Sequence, residues 1–152
     1  MASRRPDIRP AAALVALLAL LCAARGSAAA DAVTVDVGAV YASNQGSSID
    51  PALRHIRGKI QSMFNFTSYR MLDRKRQTLA VGESGDFELP GQRSMRVSPL
   101  PSRPNKVRLS IRIEEAGKNL LTTTLGMPRG GMVLVGGPSY EAGVLILIIA
   151  AE

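Results

Sequence analysis

Hydrophobic positions fall into three patterns along the chain, and each predicts a different element. The first is an unbroken apolar run over residues 11–24, AAALVALLALLCAA. It follows Arg4, Arg5 and Arg9 and is closed by Ser27, Ala28, Ala29 and Ala30. A positive stretch, an apolar stretch and an A-x-A site form the pattern of a cleaved secretory signal. The run is 14 residues long, short of the roughly 20 a membrane-crossing helix requires. Leu21 stands where a lipoprotein carries a small residue before its cysteine, and Pro6 and Asp7 interrupt any twin-arginine pattern. The expected organisation is a signal peptide over residues 1–30 and a single exported domain over residues 31–152.

The second pattern is alternation. Val33, Val35, Val37 and Ala39 alternate with Thr34, Asp36 and Gly38, and Val107, Leu109, Ile111 and Ile113 alternate with Arg108, Ser110, Arg112 and Glu114. Period two marks strands with one packed and one solvated face. Shorter stretches at 68–72, 77–81, 87–89, 95–100, 120–125 and 132–135 read as further strands. Glu83-Ser84-Gly85-Asp86, Pro90-Gly91, the 99–104 loop, Arg129-Gly130-Gly131 and Gly136-Gly137-Pro138 punctuate them as turns. Residues 144–150, VLILIIA, are apolar without alternation. Such a run predicts a central strand buried on both faces, or one face of an oligomer interface.

The third pattern occurs once. Leu53, Ile56, Ile60, Met63 and Phe64 recur at spacings of three and four, with Arg54, Arg57, Lys59 and Gln61 opposite. This predicts one amphipathic helix over 51–64, opened by Asp50 as cap and Pro51 in the first turn, with Gly58 as its weak point. The fold expected is β-rich α+β, with one helix packed on an antiparallel meander that forms a small sandwich or partial barrel.

Composition sharpens this picture once the signal is set aside. The whole chain holds 19 Lys+Arg and 12 Asp+Glu; without Arg4, Arg5, Arg9, Arg25 and Asp7 the balance is 15 to 11, a net charge of +4. Cys22, the single cysteine, leaves with the signal. The remaining domain has no disulfide and is held by core packing alone, which suits a bacterial periplasmic or surface protein better than a small eukaryotic secreted one. Asn65-Phe66-Thr67 is a formal glycosylation sequon and carries little weight in that setting.

Candidate chemistry is sparse. His55 is the only histidine and reads as a partly exposed helix residue, so nucleophile–histidine arrangements and four-ligand zinc sites lack their residues. Glu114 and Glu115 are adjacent on a strand and point to opposite faces unless a bulge intervenes. The glycine doublets lack the Gly-Lys-Ser/Thr ending of a phosphate loop. We therefore assign no catalytic residue, no cofactor and no metal ligand. Two basic groups remain. Arg70, Arg74, Lys75 and Arg76 lie between two expected strands, and Arg54, Arg57 and Lys59 line the helix. Both are candidates for an anionic polymer or membrane surface, and both also read as solvated faces. Nucleic acid is not expected, because the domain is exported and the basic stretch lacks interleaved aromatics.

The second half carries a family likeness. Met95-Arg96-Val97-Ser98-Pro99, the alternating strand from Val107, Thr122-Thr123-Thr124, Gly130-Gly131-Met132-Val133-Leu134-Val135-Gly136-Gly137 and the apolar last strand occur in that order. Over residues 88–150 this resembles the C-terminal conserved region of bacterial secretins, the gated outer-membrane channels of secretion systems and pili. The resemblance implies a component of an envelope assembly. Pro138-Ser139-Tyr140-Glu141-Ala142-Gly143 replaces the family's long lip segment with a tight connection, so no channel residue carries over. The function expected is a non-catalytic exported envelope protein acting through protein partners or self-association. The alternatives are a module for an anionic envelope polymer or membrane surface, and a reduced secretin-like assembly component. The compartment is periplasmic, outer-membrane associated or extracellular.

Overall fold

Strand β1 (Ala32–Ser43) carries the first alternation, and its neighbours bury most of it on both faces, Asp36 included. A computed structural model describes residues 31–152 of the chain; the signal assigned to residues 1–30 lies outside the described residues. A 3₁₀ helix (Pro51–Ile56) runs directly into helix α1 (Arg57–Met63). Strands β2 (Ser68–Ala80), β3 (Gly85–Leu89), β4 (Arg93–Leu100), β5 (Lys106–Glu115), β6 (Lys118–Pro128), β7 (Gly131–Tyr140) and β8 (Gly143–Ala151) follow. They form two antiparallel four-stranded sheets, ordered β2-β1-β8-β7 and β3-β4-β5-β6. The architecture is the expected β-rich α+β sandwich with one short helical segment, and the sheets do not close into a barrel.

Two cores share the first sheet. Between the sheets lie Val33, Val35 and Val37 of β1, Leu147 and Ile149 of β8, and Phe87, Met95, Leu109 and Ile111 of the facing sheet. On the other face of β1 and β8, Val40, Ala42, Ile146 and Ile148 meet Leu53, Ile56 and Ile60 from the helical segment. This second core explains why VLILIIA does not alternate. Strand β8 lies between β1 and β7, with the sandwich on one side and the helix on the other.

The helical segment starts as its residues predict. Asp50 accepts the Ala52 N–H at 2.9 Å, and Pro51 occupies the first turn. Leu53 and Ile56 align because a 3₁₀ turn has about three residues per turn, and Ile60 and Phe64 then follow at the α spacing. Met63 departs from the expected apolar face: it is 52 % exposed, because the i+3 position in an α-helix falls short of a full turn from Ile60. Tyr69 fixes the exit. Its hydroxyl donates to the Phe64 carbonyl at 2.7 Å and accepts the Phe66 N–H at 3.2 Å.

Two expected breaks are absent. The stretches at 68–72 and 77–81 are one strand, because β2 pairs with β1 along its whole length and absorbs one register irregularity near Ala39/Val40. Gly136-Gly137-Pro138 is not a turn but a register irregularity inside β7. In β2 and β7 cross-strand hydrogen bonding overrides the local break. Pro99 and Leu100 pair with Leu109 and Arg108 at the end of β4, as the strand expected over 95–100 requires.

Candidate protein-interaction site

The residues singled out from the sequence are distributed by strand alternation and by the register irregularity of β2 at Leu72. Arg74 and Arg76 project from the same face of β2 toward Asp36 on β1, which pairs with Arg76 in register. Arg74 donates from Nε at 2.9 Å and from Nη2 at 2.8 Å to the two Asp36 oxygens. Arg76 donates to Oδ2 at 2.9 Å and 3.2 Å. The Arg74 hydrogen bonds hold the Asp36 carboxyl below the usual carboxylate range; burial pulls it upward but is outweighed, with Arg76 adding to the lowering. The Arg74 guanidinium is raised in return by Asp36. One buried carboxylate between two half-exposed guanidiniums leaves a single net positive charge here.

Lys75 and Arg70 lie on the opposite face. Lys75 reaches Asp73 at 3.3 Å and the Glu88 carbonyl at 3.4 Å, and Gln77 reaches the Asp86 carbonyl at 2.8 Å. These contacts bind β2 to the edge of β3 and close that side of the sandwich. Arg70 sits over the Tyr41 ring, 5.5 Å from its centroid. The four residues do not form one patch. On the helical segment, Lys59 donates to the Met132 carbonyl at 3.1 Å and Arg57 to Gln61 at 3.3 Å. Arg54 and Arg57 line a hollow with Ser47, Gln61 and Thr67. His55 borders a small recess beside Asp36 and Arg74.

Glu114 and Glu115 are separated by their partners. Glu114 pairs with Arg112 at 2.8 Å, and Glu115 with Arg93 at 2.7 Å. Arg93 also donates to the Ser139 carbonyl at 3.2 Å, tying the second sheet to β7.

A feature outside both basic groups stands open. Strand β6 is the edge of the second sheet and pairs only with β5. Residues 119–127, NLLTTTLGM, carry no charge and no proline. Leu120 and Leu121 are exposed at 45 % and 37 %. Natural edges are usually blunted by charge, proline or covering structure. Here Lys118 and Pro128 blunt the two ends and a register irregularity at Leu120 disturbs the first of them, which leaves Leu121 to Met127 regular and open. Sequence reading placed a strand here but could not mark it as an edge, since edge position depends on which distant strands pair.

A groove adjoins the end of this edge. Its volume is about 710 Å³, and it is lined by Pro101, Arg103, Lys106, Arg108, Gly126 and Pro128 among others. The loop forming its wall is held by Ser102 Oγ donating to the Lys106 carbonyl at 2.7 Å and by the Lys106 N–H on the Arg103 carbonyl at 3.1 Å.

No protein family's sequence description matches the chain, and no curated protein matches it. Among solved structures the chain is similar to the T2SS secretin XcpQ from Pseudomonas aeruginosa. The likeness is weak, with 10% identity and a TM-score of 0.35 over 91% of this chain. This chain spans 63% of the length of that one.

Proposed function

We propose that the domain is a non-catalytic module exported to the bacterial envelope that works through protein–protein contacts, made by a partner strand pairing with β6. The observation that carries this reading is the uncharged, uncovered edge from Asn119 to Met127. An open edge offers backbone donors and acceptors to a further strand, and the alternating side chains beside it supply selectivity. The exposed leucines add apolar area to the same contact. A module for an anionic polymer or membrane centred on Arg70, Arg74, Lys75 and Arg76 is less well supported, because those residues lie on two faces and two of them share Asp36.

The test is site-specific photo-crosslinking in the source cell's envelope. A photoreactive residue at Thr122 is expected to give a discrete adduct that disappears when Thr124→Pro removes an N–H that points away from β5. A probe at Arg57 on the helix serves as control. Equal adducts from the edge and the helix, or none from the edge, would refute the reading.

A further inference from the structure

We infer that the strand received by β6 comes from an acidic polypeptide segment, whose carboxylate is met by Arg108 across the gap at Gly126. The inference rests on the proposed edge pairing and specifies the partner's chemistry. On the outer face of the second sheet, Leu100, Arg108 and Gly126 lie in one cross-strand row. Gly126 is the last member of that row, and a Cβ built on it meets nothing within 4 Å. Gly126 therefore leaves the outer face open between Arg108 and any strand added beyond β6.

That strand would lie two strand spacings from β5, about 10 Å. An arginine and a glutamate extended toward each other bridge such a gap only if no side chain stands between them. Glycine provides that opening.

Charge favours an acid in this place. Elsewhere on the second sheet the arginines are neutralised: Arg96 by Asp86, Arg112 by Glu114 and Arg93 by Glu115. Arg103, Lys106 and Arg108 around the groove are in no ion pair among the described residues. Three uncompensated cations thus converge on the end of an otherwise neutral edge. A lipid or polysaccharide could meet the charge but could not use the strand's alternating backbone donors and acceptors. An extended acidic peptide satisfies both.

The experiment uses the domain over residues 31–152 and two fluorescein-labelled nine-residue Val/Thr peptides. One carries glutamate at both ends, so that either strand direction presents an acid to Gly126, and the other carries glutamine there. The glutamate peptide is expected to bind up to ~fivefold more tightly at low salt, as an exposed arginine–carboxylate pair allows. Arg108→Gln and Gly126→Val should each remove the preference for glutamate over glutamine without lowering the thermal midpoint. Valine fits at 126 because its Cβ enters open space. Equal affinity for the two peptides, no binding of either, or a preference that survives both variants would overturn the inference. A glutamate preference that persists in Thr124→Pro but vanishes in Arg108→Gln would instead refute edge pairing and leave the charged groove standing.

Discussion

Asp36 is the residue on which the basic stretch of β2 depends. Its position was visible only as the polar member of an alternating strand, and nothing local connects it with Arg74 and Arg76, 38 and 40 residues away. The pairing makes it a buried anion that organises two cations. Because its folded carboxyl titrates below the ordinary value of 3.8, its contribution is complete above that value and fades as the pH falls through the lower folded one. Asp36→Asn is expected to cost about 1–2 kcal/mol at neutral pH, since Arg74 and Arg76 are half exposed and recover solvation. It should also flatten the loss of stability below about pH 4. Urea melts of both proteins across that range check this; parallel acid limbs would contradict it. The residue types in the two basic groups were legible, but their grouping was not. Alternation put Arg74 and Arg76 on one face and Lys75 on the other, and the register irregularity at Leu72 turned Arg70 to the side of Lys75.

At the scale of elements, the strands whose alternation is clean, β1 and β5, lie where the pattern places them. The discrepancies occur where local turn chemistry competes with pairing, as in β2 and at Gly136-Gly137-Pro138 in β7. A neighbouring strand stabilises extended backbone through hydrogen bonds that no local window contains. The β5–β6 hairpin shows the opposite case, where pairing forces a residue into an unfavourable backbone. Ala116 and Gly117 form its two-residue turn with φ of 48° and 79°. Both values are positive, and tight hairpins of this kind favour Asn-Gly. Alanine is strained there, so Ala116→Asn should stabilise the domain by about 0.5–1 kcal/mol. A shift of the urea midpoint to higher concentration with an unchanged slope would bear this out, whereas an unchanged midpoint would not. The same hairpin leads into the open edge, so a stabilised turn also provides a well-folded background for edge and groove variants.

For the whole molecule, the decisive feature is that two cores share one sheet. Strands β1 and β8 contribute to both, so neither core can be lost without exposing the other's partner. Leu53→Ala in the helix-side core and Leu109→Ala in the sandwich core should each cost about 2–5 kcal/mol. Both should lower one common transition, seen alike by far-ultraviolet circular dichroism and tyrosine fluorescence; two separated transitions would show that the layers unfold independently. The sequence by itself determined the strand-rich class, the helix with its Asp50-Pro51 start, the absence of a disulfide in residues 31–152 and the doubly buried last strand. These follow from periodicity and residue chemistry, which act over a few neighbours. Tertiary structure alone decided that β1 pairs with β8 and that β6 is left at an edge. It also brought Arg103, Lys106 and Arg108 around the gap at Gly126. Pairing between strands far apart in sequence depends on how all the apolar faces are buried together, and no single segment carries that information.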